Sequence, residues 1–229
     1  MMRSFAALLF CLFVAVTAGQ TNSPEPVTLK LFNERNLDGL QIYLEDASID
    51  PAKTWRVEDG ILRCSGTPRG FIRTRLPYAD YKLHVEWRWP NGKGNSGVLL
   101  HMVNRYDIWP KGFEAQLLTG RAGDLTSYWD ARGKEEIVSR NPRGFTTGRL
   151  ARPGNDAEKP LGEWNSFDIV CAGDTITLTV NGVQVNNMTG VIPSAGMVGL
   201  QSEGSAIDFR NITLTPLPPA KDLHAPMPR

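Results

Sequence analysis

YKLHVEWRW, residues 81–89, is the stretch that decides the fold. Tyr81, Leu83, Val85, Trp87 and Trp89 alternate with Lys82, His84, Glu86 and Arg88. Successive side chains of a strand point to opposite faces, so one face here is aromatic and aliphatic and the other is charged. That is a long strand buried on one side. Working outward, SGVLLHMV (96–103), FEAQLL (113–118), GMVGLQSEG (196–204) and AIDFRNITLTPL (206–217) read as further strands. SFDIVCAGDTITLTVNGVQV (166–185) reads as three strands, with turns at Ala172-Gly173-Asp174 and Asn181-Gly182. TWRVEDGILRC (54–64) is strand, Asp59-Gly60 turn, strand. Helical periodicity is scarce. Many short strands without helical crossovers predict an all-β antiparallel sandwich or jelly roll. The segment from about Thr119 to Leu161 is rich in Gly, Arg and Pro and lacks clean periodicity. It reads as loops over one face of the sandwich, and so long an insertion is uncommon unless it is functional or mobile.

The chain has 229 residues, 41% hydrophobic and 21% charged, which suits one globular core. A net charge of +1 offers no basic excess for nucleic acid or for an anionic membrane. Residues 1–18 read as a signal peptide: Arg3, an apolar run from Phe5 to Val16, then Val16-Thr17-Ala18 as a cleavage site. Residues 19–27 form a linker, 28–217 the sandwich domain, and 218–229 a Pro-rich disordered tail. The expectation is an exported protein, periplasmic or secreted. Cys64 and Cys171, both in apolar strand-like surroundings, read as buried free thiols.

The chemistry is concentrated in WPKGFEAQL (109–117). Phe113, Ala115 and Leu117 share one face of this strand; Glu114 and Gln116 share the other. Trp109 and Lys111 lie just upstream, and Arg121 and Asp124 just downstream. An aromatic ring beside a carboxylate, an amide and a cation suits a sugar, whose C–H faces stack and whose hydroxyls pair with planar polar groups. A solvated sheet face would give the same alternation. In GKGNSGVLLHMV, Asn95, Gly97 and His101 share a parity, which puts His101 on the face of Asn95. Taken by itself, His101 reads first as a core histidine bonded to a carbonyl. Gly97 marks a close approach. Gln201 and Glu203 form a second polar pair, which strand packing could bring to the face of Glu114. Alternation slips at Arg210-Asn211, which predicts a bulge.

Gly-x-Ser-x-Gly, phosphate-loop, zinc-cluster and dinucleotide signatures are missing. So is the acidic triplet of laminarinase-type glucanases. A retaining glycosidase needs two carboxyls about 5 Å apart, and the Glu114 strand carries one.

The ordered set LFNERNLDGL (31–40), WRVEDGILRC (55–64), YKLHVEWRW, GNSGVLLHM, WPKGFEAQL, LGEWNSFDIV, LTVNGVQV and VGLQSEGSAIDFRNI resembles the 3-keto-disaccharide hydrolase family. That family is also described as 3-keto-glucoside 1,2-lyase / 3-keto-2-hydroxy-glucal hydratase. The resemblance implies a concanavalin A-like lectin/glucanase jelly-roll sandwich and an enzyme acting on 3-keto sugars. A C3 ketone acidifies the C2 proton; a base removes it, the group at C1 leaves, and water adds to the glucal. One base and an enolate stabiliser suffice. On this resemblance Glu114 or His101 is the base, with Lys111 or Asn95 stabilising the enolate. Trp109, Gln116, Gln201 and Glu203 contact the sugar. A divalent metal ion held by His101 and Glu114 is an option the resemblance leaves open. The partner implied is a small sugar, with no nucleic acid and no membrane. A non-catalytic carbohydrate-binding, lectin-like module is the alternative, since fold does not fix function.

Overall fold

Tyr81, Leu83, Val85 and Trp87 are all buried, while Lys82 is exposed and His84, Glu86 and Arg88 are half-buried on the opposite face. The computed structural model describes residues 26–103, 107–140, 142, 144–154 and 156–219. The expected leader and most of the Pro-rich tail lie outside the described residues.

The described strands are β1 (Leu29–Lys30), β2 (Leu40–Leu44), β3 (Trp55–Glu58), β4 (Ile61–Cys64), β5 (Gly70–Thr74), β6 (Tyr81–Arg88), β7 (Gly97–Met102) and β8 (Gly112–Gln116), then β9 (Leu125–Tyr128), β10 (Ile137–Arg140), β11 (Thr146–Leu150), β12 (Asn165–Ala172), β13 (Thr175–Val180), β14 (Val183–Met188), β15 (Met197–Ser202) and β16 (Ile207–Pro216). They form two eight-stranded sheets. One runs β14-β13-β12-β6-β16-β4-β3, with β1 also on β16. The other runs β10-β11-β9-β8-β7-β15-β5-β2. The inner faces meet in one core, where Trp87, Phe167 and Phe209 of the first sheet share a cluster with Leu100, Phe113 and Leu200 of the second. Burying each such side chain contributes about 1.5–3 kcal/mol. The fold is the expected all-β jelly-roll sandwich.

The turns follow the sequence signals. Asp59 and Gly60 have φ of 54° and 75°, and Asn181 and Gly182 have 49° and 81°, the left-handed pair of a tight hairpin turn. The bulge expected at Arg210-Asn211 is present: the β16–β6 register shifts between Arg210 and Thr213, and Asn211 has φ 50°. Cys64 and Cys171 are buried free thiols.

The reading of residues 119–161 as loops is corrected. This segment contains β9, β10 and β11, which extend the second sheet beyond β8. Alternation fails there because β10 is exposed along its whole length and three of the four β9 residues are buried. A period of two appears only when one face is wet and the other dry. The same reason hides β5, GFIRT, in which all five residues are buried.

Candidate functional site

Glu114 projects from β8 on the outer face of the second sheet, opposite Phe113 and Ala115, which enter the core. An outer-face carboxyl is ordinarily wet, yet Glu114 is 0% exposed. Two features bury it. Beneath it, Gly97 of β7 has no side chain, and a Cβ there would lie 2.5 Å from Glu114 Cγ and Oε1. Beside it, Tyr128 of β9 donates its hydroxyl to Glu114 Oε2. Thr126 faces Glu114 in register, so Tyr128 is the diagonal neighbour on the same face. Glu114 Oε1 is buried without a hydrogen-bond partner.

Glu203, just past β15, comes to the same place. Asn95 donates Nδ2 to Glu203 Oε2 at 2.9 Å, and the Trp109 side chain also hydrogen-bonds this carboxylate. Burial, then the nearby Glu203 charge, pushes the Glu114 carboxyl up to about 8, against a smaller opposing effect of the Tyr128 hydrogen bond. Burial raises Glu203 as well; Trp109, the Arg69 charge and Asn95 oppose that rise. Burial and the adjacent carboxyl push the Tyr128 hydroxyl well up, so it stays a donor. Glu114 therefore keeps its proton at neutral pH, beside a Glu203 carboxyl held by Asn95 and Trp109. Asn95 Oδ1 and Gln201 Oε1 are also buried without partners. Three unsatisfied polar atoms around one carboxylate pair mark a place where a polar ligand would complete the hydrogen bonding.

An aromatic group lies beside these carboxyls. Phe145 stacks on Trp129, with centroids 4.5 Å apart, and also meets Trp109 and Tyr128 at 6.1 and 6.2 Å. Trp129 Nε1 donates to the Trp109 carbonyl at 2.7 Å, tying the β8 approach to the end of β9. Gln116 shares the face of Glu114, but its Oε1 accepts from the Leu117 and Leu118 N–H groups at 2.9 Å each and so holds the local turn.

Two expectations are corrected. His101 does not share the face of Asn95. Along β7, Met102 pairs with Met197 and Leu99 with Gly199, so three steps oppose two: an extra residue sits in β7. His101 takes φ 50° and turns inward, edge-on to Tyr81 and Phe113, with Nδ1 donating to the Pro193 carbonyl at 3.0 Å. Burial pushes it down to about 4, so it is a neutral core histidine. Two glycines make room: a Cβ on Gly112 would lie 2.7 Å from the Leu100 carbonyl oxygen, and one on Gly196 would overlap the His101 carbonyl. His101 and Glu114 thus occupy opposite faces and cannot share a metal ion. Among the described residues, no group of three or more His, Cys, Asp and Glu side chains is arranged to hold one. Lys111 is the second correction. Its Nζ pairs with Asp130 at 3.0 Å on the surface rather than with the carboxyl pair. Arg121 and Asp124 are structural, with Asp124 buried and bonded to Arg121, Arg149 and the Arg152 N–H.

The structure therefore brings together Glu114, Glu203, Asn95, Gln201 and Trp109 from the expected set. It adds Tyr128, which sat in a segment without periodicity. The only sequence signal for it was the Tyr128-Trp129 pair within an otherwise polar stretch.

Comparison with known proteins agrees with this architecture. A glycosyl hydrolase candidate from Parabacteroides distasonis superposes with TM-score 0.61 at 20% identity, covering 83% of this chain and 94% of that one. The β-glucanase of Bacillus licheniformis superposes at 0.53 with 13% identity, covering 86% and 100%. The carbohydrate-binding module CBM66 of Bacillus subtilis gives 0.53 at 12%, covering 77% and 95%. At these identities the likeness is one of fold. No curated protein sequence matches. The model of the 3-keto-alpha-glucoside-1,2-lyase-like domain matches residues 28–215, most of the chain, and the protein belongs to that carbohydrate-active family.

Proposed function

We propose that the protein cleaves 3-keto-glycosides by elimination and rehydration, with Glu203 and Glu114 dividing the proton transfers. The observation that carries this reading is the carboxyl pair itself: Glu114, fully buried and raised to about 8, beside Glu203, which accepts hydrogen bonds from Asn95 and Trp109. Elimination needs a base at C2 and an acid at the leaving oxygen, and two carboxyls in unlike surroundings can supply both.

Glu203 takes the C2 proton, and its electron pair forms the enolate of the C3 ketone. The enolate collapses to C3=O with a C1=C2 double bond, and the C1–O bond breaks. Glu114 delivers its proton to the leaving oxygen. Water then adds at C1 and gives a proton to Glu114, while Glu203 returns its proton to C2. The net change is hydrolysis. Gln201 and Asn95 hold the sugar hydroxyls, and Trp109 both orients Glu203 and offers a ring for stacking. His101 and Lys111 have no place in this scheme. The leader at residues 1–18 makes the enzyme an exported one.

The same pair favours a second reading, ordinary glycoside hydrolysis, which also uses two carboxyls. A matched pair of 4-nitrophenyl glucosides, one oxidised at C3 and one plain, separates the two. Release of nitrophenol from the 3-keto substrate alone, with loss of about 10²–10⁴-fold in Glu203→Gln, is the expected result. Equal rates on both substrates would sink elimination. Binding without turnover of either would make the protein a lectin-like module.

A further inference from the structure

Arg69, Phe71, Arg73 and Arg75 alternate along and beside β5, so all four belong to one face. It is the outer face, the same one that carries Glu114. Phe71 stacks with Tyr43 of β2, centroids 5.3 Å apart, and clusters with Leu99 away from the main core. The Arg73 guanidinium lies 5.9 Å from the Phe71 ring centroid, and its Nε donates to Gln41 Oε1 at 3.3 Å. Arg69 and Arg75 are exposed. Gln41, Tyr43, Phe71, Arg73 and Arg75 line a groove of about 320 Å³.

This groove adjoins the carboxyl site. Phe71 pairs in register with Gln201, and the Arg69 charge acts on Glu203. Neighbouring strands are roughly 4.8 Å apart, so β8 to β15 spans about 10 Å, enough for one reacting sugar ring. Whatever is bonded to that ring and extends along the sheet reaches β5 and β2 next. Glu203, already paired with Asn95, and Glu45, just past β2, lie toward Arg69, and Asp38 lies near Arg75. Among the described residues, no acidic side chain lines the groove itself, whereas Arg73 and Arg75 do. A guanidinium fork matches a carboxylate in shape and charge, and stacked rings match a sugar or aromatic face.

We propose that this groove receives the leaving-group half of the substrate and selects one that bears a carboxylate, such as a uronic acid or an acidic aromatic aglycone. The proposal rests on the cleavage reading above for what is bound, but its test does not depend on turnover alone. The substrates are the 3-keto-glucosides of 4-nitrophenol and of 3-carboxy-4-nitrophenol. Wild type is expected to favour the carboxylated one by about tenfold or more in kcat/KM at low salt, a preference that shrinks as salt is added. Arg75→Gln should bring the ratio toward one, and Arg69→Gln with Arg75→Gln closer still. A wild-type ratio near one, or a ratio untouched by Arg75→Gln, overturns the proposal. Calorimetry with a glucose–glucuronic acid disaccharide and its glucose–glucose counterpart gives the second readout. Tighter binding of the acidic disaccharide, lost in Arg75→Gln, upholds the groove even if neither keto-glucoside is cleaved. Equal binding of the two disaccharides removes the groove even if the keto-glucosides are cleaved.

Discussion

Replacing Gly97 with alanine adds one methyl group directly under the candidate catalytic carboxyl. The new Cβ would sit 2.5 Å from Glu114 Cγ and Oε1 and 2.6 Å from Cδ, against 3.4 Å or more for ordinary contact. Glu114 must therefore shift by about 0.9 Å, with the hydroxyl of Tyr128 on its far side. Gly97 does not have a positive φ, so the backbone accepts alanine and the whole effect comes from this one contact. Overpacking of this kind costs about 1–3 kcal/mol. In a chain of this size each kcal/mol lowers Tm by roughly 2–4 °C. A misplacement near 1 Å costs about 10²-fold in rate. Thermal melts of Gly97→Ala, Glu114→Ala and the double variant form a cycle that isolates the contact. In the Glu114→Ala background the added methyl has room, and alanine restricts the unfolded chain. Gly97→Ala there should be neutral or stabilising by about 0.4–1 kcal/mol. A Gly97→Ala penalty equal in both backgrounds, or absent from wild type, would refute the packing of Glu114 over residue 97, and with it the account of how that carboxyl is buried.

Further outcomes follow from the charges and from the inward turn of β7. Glu114 is raised to about 8 in the folded state, whereas an unfolded glutamate titrates near about 4.3. The folded state therefore binds the extra proton between those values, and its stability is greatest below the lower one and falls as pH rises to the upper one. Glu114→Gln removes that dependence, so the variant should gain on wild type in melts between pH 5 and pH 9; parallel curves would show that Glu114 titrates normally. His101→Asn, which tolerates the positive φ, and Lys111→Ala should each stay within about threefold of wild type in kcat/KM, with His101→Asn losing stability through the Pro193 hydrogen bond. A loss of 10²-fold in folded His101→Asn protein would return that histidine to the mechanism.

Where one face of a strand is dry and the other wet, the residues themselves write the structure. Tyr81 to Trp89, the Asn181-Gly182 hairpin and the slip at Arg210-Asn211 could all be read from the sequence. So could the placement of Glu114 and Gln116 opposite Phe113 and Ala115. Local sterics and alternation decide these features. Three things were settled only by tertiary packing. The inward turn of His101 depends on an extra residue in β7 and on Gly112 and Gly196 of neighbouring strands, which a parity count along one strand does not include. Strands β5, β9 and β10 lack alternation because both faces are covered or both are bare, and only the neighbours determine which. The pairing of Glu114 with Glu203 joins residues 89 apart in the chain, and the strand around Glu114 supplies just one acid. Sequence could show a carboxyl on an unexpected face. The long-range pairing of β7 with β8 and β15 brought a second carboxyl to it, removed the water, and so raised the proton affinity of Glu114.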